Sequence, residues 1–177
     1  YKLHRFKFLV LSKQFTIDVR QQTLQPGEVC LQHDFSEALS IVHNQEIQSK
    51  HFGGSLSVSI EGYTVHYRPT LFSDLFLDFH SFLSDGKVQH ASTVYNHITK
   101  LIVKLKESGV LAKTGGRIMS STDGCASQYR SATSIFWMEV LAYDYELVID
   151  TRAISAASHG KSIVDAINGV DKNTIMR

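Results

Sequence analysis

Past its N-terminal segment this chain runs through three consecutive strand-like stretches, and helix-like and strand-like stretches alternate only after them. That order restricts the sheet the chain can build. Glu28 to Phe35 is a largely apolar run that starts just after Pro26-Gly27. Ser55-Leu56-Ser57-Val58-Ser59-Ile60-Glu61 alternates strictly, the two-residue period of a strand with one buried face. Gly62 marks a turn or bulge, and Tyr63 to Tyr67 continues the strand or begins its partner. Leu75 to Leu83 sets Leu75, Leu77, Phe79 and Leu83 on one side and reads as a third strand. The expected arrangement of the three is an antiparallel meander.

After the turn at Ser84-Asp85-Gly86 the period changes. Ser92 or Thr93 can cap a helix running to Ser108, with Val94, Ile98, Ile102 and Leu105 on its buried stripe and Gly109 at its end. Arg117 to Thr122 is the fourth strand. A helix over Ser127 to Tyr143 is expected to bury Ala132, Phe136, Val140 and Tyr143. Leu147 to Ile154 is the fifth strand, and a last helix runs on from Lys161. Its apolar stripe is Ile163, Ile167 and Val170, and its polar stripe is Lys161, Asp165, Asn168 and Lys172. Ahead of all this, residues 4 to 24 read as a helix through Phe8, Leu11, Phe15 and Val19. Three strands followed by alternating helices and strands imply an α/β fold with a mixed five-stranded sheet covered on both faces. That is the order of the ribonuclease-H-like core. The expected division is an N-terminal helical segment, 1–27, and a core, 28–177.

With 177 residues the chain is long enough for one domain with a substantial core. It opens on Tyr1, so the expectation is a fragment of a longer protein. No apolar run approaches the ~20 residues of a membrane-spanning helix. A formal net charge of +1 supplies no concentrated basic face. Lys100, Lys104, Lys106, Lys113 and Arg117 read first as a solvated helix face and its loop. Cys30 and Cys125 lack metal-type spacing and read as small buried thiols in a reducing compartment. The nine histidines form no zinc-type cluster. Neither a nucleotide-hydrolase phosphate loop nor a Gly-x-Ser-x-Gly elbow is present.

The residues that remain to carry chemistry are acids. Asp34 lies at the end of the first strand, Asp123 at the end of the fourth, and Asp165 just inside the last helix. Two strand-end carboxylates and one on a helix can converge, and hard divalent cations seek such oxygen ligands. Each acid also has a plainer reading: a strand-end turn for Asp34, a helix cap for Asp123, a solvated helix face for Asp165. Glu37 is either a partner to that cluster or a loop acid. Small residues in Thr122-Asp123-Gly124-Cys125-Ala126-Ser127-Gln128 leave room for a close backbone or phosphate approach. His159-Gly160-Lys161 stands before a helix N-terminus, where free amides and a partial positive charge suit a phosphate.

Four segments together resemble the catalytic domain of DDE-type transposases of a eukaryotic transposon-derived lineage. They are Asp34-Phe35-Ser36-Glu37, Glu46-Ile47-Gln48-Ser49, Asp123-Gly124-Cys125-Ala126-Ser127-Gln128-Tyr129-Arg130 and Ser158-His159-Gly160-Lys161-Ser162-Ile163-Val164-Asp165. The resemblance spans residues 28 to 172. It implies a ribonuclease-H-like fold and an acidic triad, Asp34, Asp123 and Asp165, holding two Mg²⁺ or Mn²⁺ ions. It further implies DNA cleavage and strand transfer in the nucleus by a possible homo-oligomer. Gln128 and Arg130 match motif positions that face DNA, His159 and Lys161 would meet phosphate, and Glu37 would back the metal ligands. Ala38-Leu39 stands where such relatives are expected to carry Asn-Tyr, and the stretch after Ile163 holds less glycine than expected. Two alternatives share the scaffold: an inactive, domesticated domain that binds nucleic acid or a protein, and a nuclease of the same fold.

Overall fold

The computed structural model describes residues 21–36, 38–41, 56–85, 89–122, 124–125, 127–154 and 163–175. In chain order these form β1 (Glu28–Phe35), β2 (Leu39–Ile41), β3 (Leu56–Tyr67), β4 (Phe76–Asp85), α1 (Ala91–Glu107), β5 (Gly116–Thr122), α2 (Ala132–Asp144), β6 (Leu147–Ile154) and α3 (Ile163–Ile175). The expected N-terminal helix lies outside the described residues except for its last turn, where Gln21 and Gln22 are helical.

The five long strands run in the order β4, β3, β1, β5, β6. The first three pair antiparallel, while β1 with β5 and β5 with β6 pair parallel. This is the mixed sheet of a ribonuclease-H-like core. Helices lie on both faces. α1 and α2 bury Ile98, Leu101, Ile102, Leu105, Met138 and Leu141 against Val29, Leu31, Tyr63, Val65 and Ile118. α3 packs on β3 and β1, where Val164 and Asn168 are the residues it buries.

The three-residue strand β2 is one that the sequence pattern does not announce. It pairs with β3, Leu39 opposite Val58, on the edge that β1 occupies farther along. From Phe35 to Leu39 the chain advances four residues while β3 advances three, from Glu61 to Val58. The register thus spends one more residue on this edge than on β3.

Several stripes differ from expectation, each for a packing reason. The alternation over 55–61 predicted a wet face, yet Ser59 and Glu61 are fully buried along with Ile60. Ser59 is closed off by a hydrogen bond with Ser84 of β4, and Glu61 lies under α1. In β4 the set Leu77, Phe79, Leu83 lies on the more open side, Phe79 and Leu83 being about half exposed, and Phe82 packs on the core instead. α1 buries its expected stripe. It starts at Ala91, uncapped by Ser92 or Thr93, because the Ala91 amide donates to the Ser127 carbonyl. It ends at Gly109, whose φ of +76° permits the left-handed turn that closes a helix. α2 begins at residue 132, not 127, with Ser131 as its N-cap accepting from the Ser134 amide. It buries Ser134, Met138 and Leu141 and leaves Phe136 and Tyr143 outside. In α3 the expected stripes hold only in part: Asn168 faces the sheet, Ile163 and Val170 face outward, Ile167 is half-buried and Asp165 is exposed as expected.

Candidate functional site

Side chains alternate along β1, so His33 and Phe35 point toward α1 while Asp34 points toward the α3 face. Across the ladder Asp34 stands opposite Gly62. Here α3 comes closest. The Asn168 side-chain amide donates to the Asp34 main-chain oxygen at 3.3 Å. A Cβ on Gly62 would lie 2.3 Å from Asn168 Oδ1 and 3.1 Å from Val164 Cγ1, so the contact exists because residue 62 has no side chain. Asp34 is half-buried at this junction, and Asp165 is exposed in the first turn of α3.

The end of β5 lies alongside. Thr122 pairs with His33, one residue short of Asp34, and Asp123 follows directly in the chain. Asp123 itself lies outside the described residues, as do Glu37, His159 and Lys161. Among the described residues, no three His, Cys, Asp or Glu side chains gather as metal ligands. Gln128 is buried and donates to Gln89 Oε1 at 2.9 Å, while Gln89 donates to the Ser36 carbonyl at 2.8 Å. This relay ties the segment after β5 to the residue just beyond β1. Arg130 is exposed.

On the opposite face of the sheet lies a polar centre that sequence reasoning missed. Glu61 has no exposed surface. Its Oε2 accepts from His97 Nδ1 at 2.7 Å, and its Oε1 accepts from His33 Nδ1 at 3.1 Å and from the Tyr129 hydroxyl at 3.2 Å. His33 stacks on Tyr63 with ring centroids 4.7 Å apart, and its Nε2 lies 3.4 Å from Ser120 Oγ. Tyr129 is held from behind by Arg152, which donates to its carbonyl at 2.7 Å. The hub therefore joins β1, β3, α1, β5 and the 127–131 segment. Tyr129 turning inward to it is why α2 starts late. No spacing could have announced the hub, because residues 33, 61, 97 and 129 come from separate elements and Glu61 sits in the polar half of an alternating pattern.

Burial alone would raise the Glu61 carboxyl. The hydrogen bonds from His33 and His97, with the field of the two imidazoles, outweigh burial and hold it below its ordinary 4.5. A depressed carboxyl stabilises the fold above its unfolded value, and that contribution is lost as pH falls through the folded value. Stability should therefore decline below pH ~4.5 with a limb of up to about 1.4 kcal/mol per pH unit from this group. Urea denaturation across pH 3 to 6 measures it, and Glu61→Gln should flatten the limb.

The cysteines are both free. Burial pushes the Cys30 thiol up to about 12, against a smaller opposing effect of the Gln21 hydrogen bond, so it is inert as a nucleophile. Cys125 is only half-buried and packs on Phe35, Val94 and Tyr129, whereas Cys30 packs with Leu24 and Met119. Among the described residues, no helix is long and apolar enough to cross a membrane.

Comparison with known proteins adds little chemistry. The solved structure titled "Mos1 transposase paired-end complex with left transposon end" is similar at a TM-score of 0.36 and 9% identity, over 93% of this chain and 53% of that one. This chain thus spans about half the length of that one, and a likeness so slight carries no argument. No curated protein matches. A family described as "Domain of unknown function (DUF8701)" matches residues 13–177, and the chain belongs to that family.

Proposed function

We propose that this domain is the metal-dependent core of a nuclear DNA-cleaving and strand-transferring enzyme of the transposase kind, with Asp34, Asp123 and Asp165 as its ligand set. The observation that carries the reading is the docking of α3, the helix bearing Asp165, on the main chain of Asp34 itself. Asp34 belongs to the strand whose next-door neighbour, β5, ends at Thr122. Three hard oxygen donors from β1, the end of β5 and α3 suit Mg²⁺ or Mn²⁺ and do not suit soft-metal binding.

Bound there, a pair of such ions would supply Lewis acidity for in-line displacement at phosphorus and for activating water or a DNA 3′-hydroxyl. The chain's own contribution is placement. Asp34 would come from the end of β1, Asp123 from the residue after β5, the parallel neighbour of β1, and Asp165 from α3, the helix docked on Asp34. Arg130 is exposed close to the end of β5, where it can meet a phosphate. His159 and Lys161 would add contacts ahead of α3.

The direct test is a thermal titration with Mn²⁺ or Mg²⁺. Binding to the folded state alone stabilises by about 2.7 kcal/mol at a hundred times Kd. For a domain of this size that raises Tm by roughly 5 to 10 °C. The rise should vanish in Asp34→Asn. A parent protein indifferent to millimolar metal would leave the scaffold as a non-catalytic binding domain.

A further inference from the structure

Of the two residues α3 buries, Val164 is apolar and Asn168 is not. Asn168 is 4% exposed, and its Oδ1 is buried without a hydrogen-bond partner. A buried amide with an unpaired oxygen is a poor choice for stability alone, since an apolar side chain of the same volume would carry no such penalty. What the amide adds is a donor aimed at one acceptor, the Asp34 main-chain oxygen. That oxygen can only accept, which fixes the amide orientation with Nδ2 toward Asp34 and Oδ1 toward Gly62. Gly62, opposite Asp34 in the ladder, leaves the space the amide occupies. Asp165 precedes Asn168 by three residues and is its neighbour on the helix surface, one turn nearer the N-terminus and exposed where Asn168 is buried.

We infer that Asn168 is a positioning residue, pinning α3 to the backbone of Asp34 so that the Asp34 and Asp165 carboxylates keep one fixed separation. This rests on the metal-site reading proposed above. Asn168 touches neither metal nor substrate and acts through Asp165. Gly62 is the other half of the device, because a Cβ there would collide with Asn168 Oδ1 and crowd Val164 Cγ1, turning the amide from its place against the Asp34 oxygen.

The test compares Mn²⁺ affinity, read from the free-ion electron paramagnetic resonance signal, with Tm in the same variants. Asn168→Leu keeps the branched shape, with somewhat more volume, and removes the donor. It should leave Tm unchanged or raised while weakening Mn²⁺ binding about tenfold, the scale seen when outer-shell partners of metal ligands are lost. Gly62→Ala, which disturbs the junction from the sheet side, should weaken binding as well. The double variant Asn168→Leu with Asp165→Ala should bind no more weakly than Asp165→Ala alone, because the two act in series. Three results would overturn the inference while leaving the metal site standing. One is Asn168→Leu binding within twofold of the parent when Asp34→Asn has lost binding. The second is independent addition of the two losses in the double variant. The third is failure of Asn168→Leu to fold, which would make the amide structural. A parent protein that binds no Mn²⁺ would overturn the site and the inference together.

Discussion

Asp34→Ala and Asp123→Ala should each lower Mn²⁺-dependent nicking of plasmid DNA by about 10³-fold or more, with Tm within a few degrees of the parent. The size follows from the chemistry. Metal stabilisation of charge at a displaced phosphate oxygen is worth several kcal/mol, and each 1.36 kcal/mol is a factor of ten in rate. The sparing of the fold follows from position. Asp34 is only half-buried, and its main chain, not its carboxylate, receives the Asn168 hydrogen bond that docks α3. Asp171, also on α3, supplies a control. Its carboxylate is engaged by the Ser81 hydroxyl on β4, two strands across the ladder from Asp34, so Asp171→Ala should leave nicking within a few-fold of the parent. Full metal-dependent nicking by Asp123→Ala would remove that residue from the ligand set.

How much of this could be read from the chain depended on whether an element has one buried side or two. α1 has one, so Val94, Ile98, Ile102 and Leu105 at helical spacing named its packed stripe correctly. The strands were located for the same reason that strands are short, apolar and bounded by turns, and their order was sufficient to indicate the mixed sheet. β3 sits between two helical layers, so Ser59 and Glu61, read as the wet half of an alternation, are as buried as Ile60. α2 carries apolar residues on nearly every side, and periodicity could not choose between Phe136, left exposed, and Met138, taken inward. In α3 the expected stripes failed at Ile163, Asn168 and Val170, where one specific contact, Asn168 on the Asp34 backbone across Gly62, sets which residue faces the sheet. Asp34 and Asp165 were legible as isolated acids at element ends. The contact that relates them was not, because it runs through a main-chain oxygen that no residue pattern encodes.

The Glu61 hub should dominate the stability of the domain. Glu61→Ala removes the acceptor for His33, His97 and Tyr129 at once and leaves three buried polar groups facing a void. Breaking a buried ionic cluster from one side costs about 3–5 kcal/mol, a large share of the 5–15 kcal/mol typical of a whole domain. At this chain length that lowers Tm by roughly 6 to 20 °C. Glu61→Gln should be milder, at about 1–3 kcal/mol, because its amide keeps one acceptor oxygen and a neutral imidazole can change tautomer to accept from its NH₂. Desolvation makes the opposite experiment equally informative. Replacing most of the cluster, with Glu61→Met, His33→Phe and His97→Leu together, removes the buried charge and two of its three partners and leaves only the Tyr129 hydroxyl without its acceptor, so much of the loss should return. Chemical denaturation of the three proteins at neutral pH decides it. If Glu61→Ala unfolds within 1 kcal/mol of the parent, the hub is not what joins β1 to β3, α1 and the Tyr129 segment. If the triple variant is no more stable than the single one, the side chains are holding the fold through their shape and not through satisfied charge.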